Sequence, residues 1–83
     1  MLYAAKCFWP GLTEDELRLA VDRARSSTEV QTAFRGALYL PADEIVLSLF
    51  ESSSRVRVKR ACDTAGMPCE RVIETIWFAA GRR

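Results

Sequence analysis

Residues 2–9 are apolar on both alternations: Leu2, Ala4 and Phe8 share one parity, and Tyr3, Ala5, Cys7 and Trp9 share the other. Side chains along a strand point to opposite faces in turn, so this pattern predicts a strand covered on both sides. Pro10-Gly11 ends it. Thr13-Glu14-Asp15-Glu16 then has the spacing of a capping box. The Thr13 hydroxyl takes an orphan amide of the first turn, Glu16 reaches back, and the acids suit the positive end of the helix dipole. Leu12 and Leu17 stand at the staple positions, and Leu17, Ala20, Val21 and Ala24 follow the i, i+3, i+4, i+7 rule. The spacing predicts a helix over residues 14–26 with one narrow apolar stripe.

Ser26-Ser27-Thr28 breaks that pattern. Residues 30–39 alternate, with Val30, Thr32, Phe34, Gly36 and Leu38 on one side and Gln31 and Arg35 on the other, as an edge strand with a wetter face would. Leu40-Pro41-Ala42-Asp43 reads as a turn. Residues 44–51 form a third strand, apolar on both faces through Ile45, Leu47 and Leu49 and through Val46 and Phe50, and so a central one. Ser52-Ser53-Ser54 offers cap hydroxyls to a second helix over residues 55–65, whose stripe is Val58, Ala61, Cys62 and Ala65. Gly66 is its C-cap and Pro68 its stop. Residues 70–78 close the chain as a fourth strand, and Gly81-Arg82-Arg83 is expected to fray.

The order is β-α-β-β-α-β. Two right-handed crossovers in one antiparallel sheet give the α+β ferredoxin-like arrangement, with the first and third strands inside and the second and fourth at the edges. Both helices then lie on one face. The apolar residues of the other face need a cover from outside the chain, and the simplest is a homodimer packed sheet to sheet in the manner of a dimeric α+β barrel.

Three segments carry a family resemblance: Trp9-Pro10-Gly11-Leu12-Thr13; Leu40-Pro41-Ala42-Asp43-Glu44 leading into Leu49-Phe50-Glu51; and Ala65-Gly66-Met67-Pro68 with Glu70-Arg71-Val72. In order and spacing they resemble the domain-of-unknown-function 4242 family of small bacterial proteins, over nearly the whole chain. The resemblance implies the ferredoxin-like fold and a dimer. One branch of that family is described as nickel-binding through histidines. This chain has none, so no position here inherits that role.

The length of 83 residues holds one domain, residues 1–83, and such a chain buries only about 60–65% of the surface it exposes unfolded, a second reason to expect a partner copy. A net charge of +1 builds no field that would draw the chain onto nucleic acid or anionic lipid. No stretch reads as a spanning helix or a signal peptide, so a cytoplasmic protein is expected. The absence of histidine removes Ser-His-Asp and Cys-His schemes. No cofactor motif stands out.

The candidate chemistry is therefore sparse. Lys6 interrupts an apolar face of a central strand and Glu74 interrupts the strand expected beside it, so the two could meet in a dimer cavity and orient a small anionic or carbonyl-bearing ligand. Arg35 could add a carboxylate-binding fork. Cys7 and Cys69 lie on strands expected to be neighbours, where a redox disulfide or a soft metal could be held, whereas Cys62 lies on an inward helix stripe and reads as packing. Arg55, Arg57, Lys59 and Arg60 make a cation cluster at the start of the second helix, where the dipole disfavours it slightly. The expected function is a homodimeric small-molecule-binding or accessory protein. The alternatives are a small cofactor-independent enzyme in which Lys6 or Glu74 moves a proton, and a purely structural interaction module.

Overall fold

The computed structural model describes residues 1–81 in the order β1 (Leu2–Phe8), α1 (Glu14–Arg25), β2 (Thr32–Leu40), a short 3-10 turn (Pro41–Asp43), β3 (Ile45–Ser52), α2 (Arg55–Ala65) and β4 (Cys69–Thr75). The fraying expected of Arg82 and Arg83 lies outside the described residues. The sheet order is β2-β3-β1-β4 with every pairing antiparallel. This is the ferredoxin-like α+β fold, with β1 and β3 central as their two-faced apolar pattern requires.

The helix ends form as the sequence dictates. Thr13 Oγ1 accepts from the Glu16 amide at 3.1 Å and the Glu16 carboxylate accepts from the Thr13 amide at 2.9 Å, which satisfies two orphan donors reciprocally. Ser54 Oγ accepts from the Arg57 amide at the start of α2, and Gly66 closes that helix at φ 76°, a left-handed conformation that only glycine adopts without strain. Arg57 and Arg60 do not stand unopposed at that end. Both reach Glu29, from the loop after α1, at 3.7 and 3.8 Å, and Lys59 bonds Asp63 one turn on at 2.6 Å.

Each strand face becomes a set of rows. On the helix side lie Tyr39, Val46, Cys7 and Cys69; then Ala37, Ser48, Ala5 and Val72; then Phe34, Phe50, Tyr3 and Glu74. Phe50 and Val46 are fully buried, and Phe34 meets Phe50 edge to face with ring centroids 5.3 Å apart. Val58, Ala61, Cys62 and Ala65 of α2 and Ala20 and Ala24 of α1 close this core from above. The buried Ser48 hydroxyl donates to Met67 Sδ at 3.4 Å, so no polar side-chain atom is left orphaned there.

Two strands depart from simple alternation. In β2 the register shifts between Phe34 and Gly36, leaving Arg35 as the extra residue of a β-bulge, with Gly36 at φ 137°. The bulge moves Leu38 to the opposite face from Phe34, correcting the expectation that one parity runs through β2. In β4 the shift falls between the partners of Lys6 and Cys7, and Glu70 is the extra residue. β4 also stops at Thr75 rather than continuing to residue 78, because β1, its only neighbour, begins at Leu2 and offers no further partner. Replacing Thr13 by Ala should cost about 1 kcal/mol by removing the cap; urea denaturation of Thr13→Ala beside the parent chain measures it.

Candidate functional site

The three residues expected to bind a ligand are not brought together. Lys6 pairs across β4 with Arg71, whereas Glu74 pairs with Tyr3. Tyr3 belongs to the helix face and Lys6 to the other, so Lys6 and Glu74 stand on opposite faces of the sheet and the expected pair is corrected. The signal was present in the sequence: Glu74 shares parity with Val72, which packs on the core beside Ala5. Lys6 instead meets Glu70, with Nζ 3.6 Å from Oε1. Arg35 sits on the bulge of the edge strand, exposed, with Nε 3.7 Å from Glu51 Oε1, and away from both Lys6 and Glu74.

The face away from the helices is read as rows as well. Leu40, Ile45 and Phe8 form the first; Leu38, Leu47, Lys6 and Arg71 the second; Gly36, Leu49, Ala4 and Ile73 the third; Ala33, Glu51, Leu2 and Thr75 the last. Its middle is aliphatic, with Lys6 set between Leu47 and Arg71. Past the end of β4 the chain continues through Ile76, Trp77 and Phe78, which are 76%, 71% and 85% exposed. Of two shallow depressions, one of about 610 Å³ lies at the end of this face around Met1, Ala33, Glu51 and Ser53, and one of about 350 Å³ lies between α1 and Tyr39.

The second constellation is made of the three cysteines. The β4 bulge sets Cys69 directly across from Cys7 on the helix side, and Cys62 comes down onto the same place from α2. Cys7 and Cys62 are buried and Cys69 is partly exposed. The Cys62 and Cys7 thiols, acting as donors toward it, hold the Cys69 thiol well below its ordinary range, at about 3, with the Lys59 ammonium acting the same way against partial burial. The same hydrogen bonding to Cys69, together with burial, pushes Cys7 and Cys62 up, so these two stay protonated. The arrangement is a partly exposed sulfur across from one buried thiol on β1, with a second buried thiol in the same cluster on α2. The nearness of Cys7 and Cys69 follows from strand order, whereas Cys62 reads from sequence as packing alone, because a helix stripe shows which residues face inward and not what they face. Among the described residues no three His, Cys, Asp or Glu side chains have the spacing of a metal site, the cysteine trio included.

The chain shares its fold with a known structure. The crystal structure of SCO4226 from Streptomyces coelicolor A3(2) superposes with a TM-score of 0.78 over 95% of this chain and 100% of that one, at 24% sequence identity. At that identity the likeness establishes the fold alone. No protein-family model matches the chain, and no curated protein does. Among the described residues no helix is long and apolar enough to cross a membrane.

Iodoacetamide at pH 6.5 should alkylate Cys69 and spare Cys7 and Cys62 until the chain is denatured, as peptide mass mapping would report. A thiol whose folded value lies below its unfolded 9.0 adds stability that is fully present above pH 9 and is lost as pH falls toward the folded value. Above pH 9 the raised Cys7 and Cys62 act oppositely, since only the unfolded chain ionises them. The stability difference between the parent chain and Cys69→Ala should therefore shrink as pH is lowered from 8 to 4.

Proposed function

We propose that the chain acts as a homodimeric binding module whose two sheets face each other and hold a small, largely apolar molecule bearing one anionic group. The observation that supports this most directly is the aliphatic sheet face away from the helices, where Leu38 and Phe8 are exposed and Leu2, Leu47, Leu49 and Ile73 half-buried, continued by the exposed run Ile76-Trp77-Phe78. An apolar surface of that extent in a small domain marks an interaction site. The occupant is a second copy on grounds of area and charge. Four strands at about 4.8 Å spacing and seven residues at about 3.3 Å make a rectangle on the order of 400 Å². A standard interface takes about 800 Å² from each partner. Trp77 and Phe78, which can bury about 150–250 Å² each, supply most of the remainder if the segment reaches across onto the partner. The face carries both signs, Lys6 and Arg71 against Glu70 and Glu51, and a two-fold axis can set each against its opposite.

Within such a pair Lys6 and Arg71 are adjacent cations beside aliphatic rows, and a carboxylate or sulfonate on an apolar body would compete with Glu70 for Lys6. The ferredoxin-like fold and the segments that resemble the domain-of-unknown-function 4242 family are consistent with this reading. Catalysis by Lys6 with Glu74 is not part of it, because the two do not share a face.

Sedimentation velocity should give twice the 9.4 kDa chain mass. Leu47→Glu or Trp77→Glu should return the monomer with the far-ultraviolet circular dichroism unchanged. Anilinonaphthalene sulfonate, an apolar sulfonate, serves as the ligand probe: its enhanced fluorescence with the dimer should weaken in Lys6→Met by about tenfold in Kd, the scale of one charge-assisted contact. A compact monomer at micromolar concentration overturns the dimer, and unaltered probe binding in Lys6→Met overturns the anion site.

A further inference from the structure

We infer that the cysteine trio is a peroxide-reactive thiol site, in which Cys69 is the attacking sulfur and a buried thiol, Cys62 or Cys7, resolves it into an intrachain disulfide. Nothing in the dimeric binding reading uses these residues. They lie on the helix side of the sheet, so a partner covering the opposite face leaves Cys69 open, and the inference stands or falls independently.

Three observations place the parts. Cys69 is partly exposed at the first residue of the edge strand β4, where a small oxidant has access. The bulge at Glu70 turns its side chain to the helix side, across from Cys7, rather than to the open face with Arg71. Cys62 enters the same packed cluster from α2, and the two buried thiols both bias Cys69 toward its ionised form. The Cys7 thiol donates over a long 3.8 Å to the Ala5 carbonyl. A buried cysteine that served packing alone would need no second sulfur beside it, and here three from separate elements converge. The cationic Lys59 on the adjacent turn of α2 favours the thiolate, which is the nucleophilic form. Of the acids, Glu70, ion-paired with Lys6, acts on the Cys7 thiol, and Asp63, ion-paired with Lys59, acts on the Cys62 thiol.

The chemistry balances with a hydroperoxide as oxidant. The Cys69 thiolate attacks the terminal oxygen of hydrogen peroxide; an S–O bond forms, the O–O bond breaks, and hydroxide leaves to take a proton from solvent. The product is the Cys69 sulfenic acid. The sulfur of a neighbouring thiol then attacks the Cys69 sulfur, the S–S bond forms, the S–O bond breaks, and the departing hydroxide leaves as water with the thiol's proton. Two equivalents of a low-molecular-weight thiol reduce the disulfide, becoming a disulfide themselves.

Hydrogen peroxide added to the full chain at pH 6, followed by peptide mapping without reduction, should show a bond from Cys69 to Cys62 or to Cys7, reversed by glutathione. The rate should exceed that of the urea-unfolded chain by at least about tenfold, because an ordinary thiol is almost wholly protonated at that pH. In the variant carrying both Cys7→Ala and Cys62→Ala, dimedone should trap a persistent sulfenic acid on Cys69. Lys59→Gln, a change at an exposed position, should slow the peroxide step severalfold while leaving urea stability close to that of the parent. Failure of Cys69 to oxidise faster than in the unfolded chain overturns the inference. So does a disulfide between two chains, or one joining Cys7 to Cys62 with Cys69 free. If the double variant does not fold, the mapping and rate measurements on the parent chain decide.

Discussion

A four-stranded sheet with both crossovers on one side has two faces and one cover, and this inequality governs the molecule. The helices must lie together because both crossovers are right-handed and start from central strands. They bury Val46, Phe50, Ala5 and Cys7 completely, yet the same central strands carry Leu47, Leu49, Leu2 and Ala4 on their backs. A chain with a polar back face would need nothing more. Here the pattern of β1 and β3 is that of strands buried on both sides, and the helical layer cannot reach the second side.

Much of the architecture was legible in the sequence, for reasons that can be named. Helix α2 has the expected bounds because its cap serine, its apolar stripe and Gly66 are all local signals satisfied within a turn or two of chain. The capping box at Thr13 and Glu16 is equally local. The central placement of β1 and β3 followed from counting apolar residues on both parities. The bulges were not legible, since an extra residue in a strand is defined by what stands opposite it. Arg35 and Glu70 look like ordinary strand residues until the partner strand is placed, and each reverses the facing of everything on one side of it.

The misplacement of the Lys6 and Glu74 pair has another cause, since the register from Arg71 to Thr75 is unbroken. Lys6 and Glu74 were each recognised correctly as charges interrupting apolar strands, but a parity reading within a strand does not say which face of a neighbour it matches. Register decides that, and it places Tyr3 beside Glu74 and Arg71 beside Lys6. Ion pairs from loops were equally hidden. Glu29 lies in an irregular segment far in sequence from Arg57 and Arg60, and it meets them only because α1 and α2 pack side by side.

The Glu70 bulge has a consequence on both faces at once. Without it, strict alternation would put Cys69 on the same side as Arg71, and the thiol would point away from Cys7 and Cys62. With it, Cys69 turns to the helix side, while Arg71 stays beside Lys6, which Glu70 itself reaches at 3.6 Å. One extra residue thus sorts the polar chemistry of β4 into two sets, sulfur against the core and charge against the open face. An edge strand tolerates such a residue because only one of its sides is paired, and a central strand would have to distort two ladders to hold it. The least constrained strand of the sheet is therefore the one able to serve both faces.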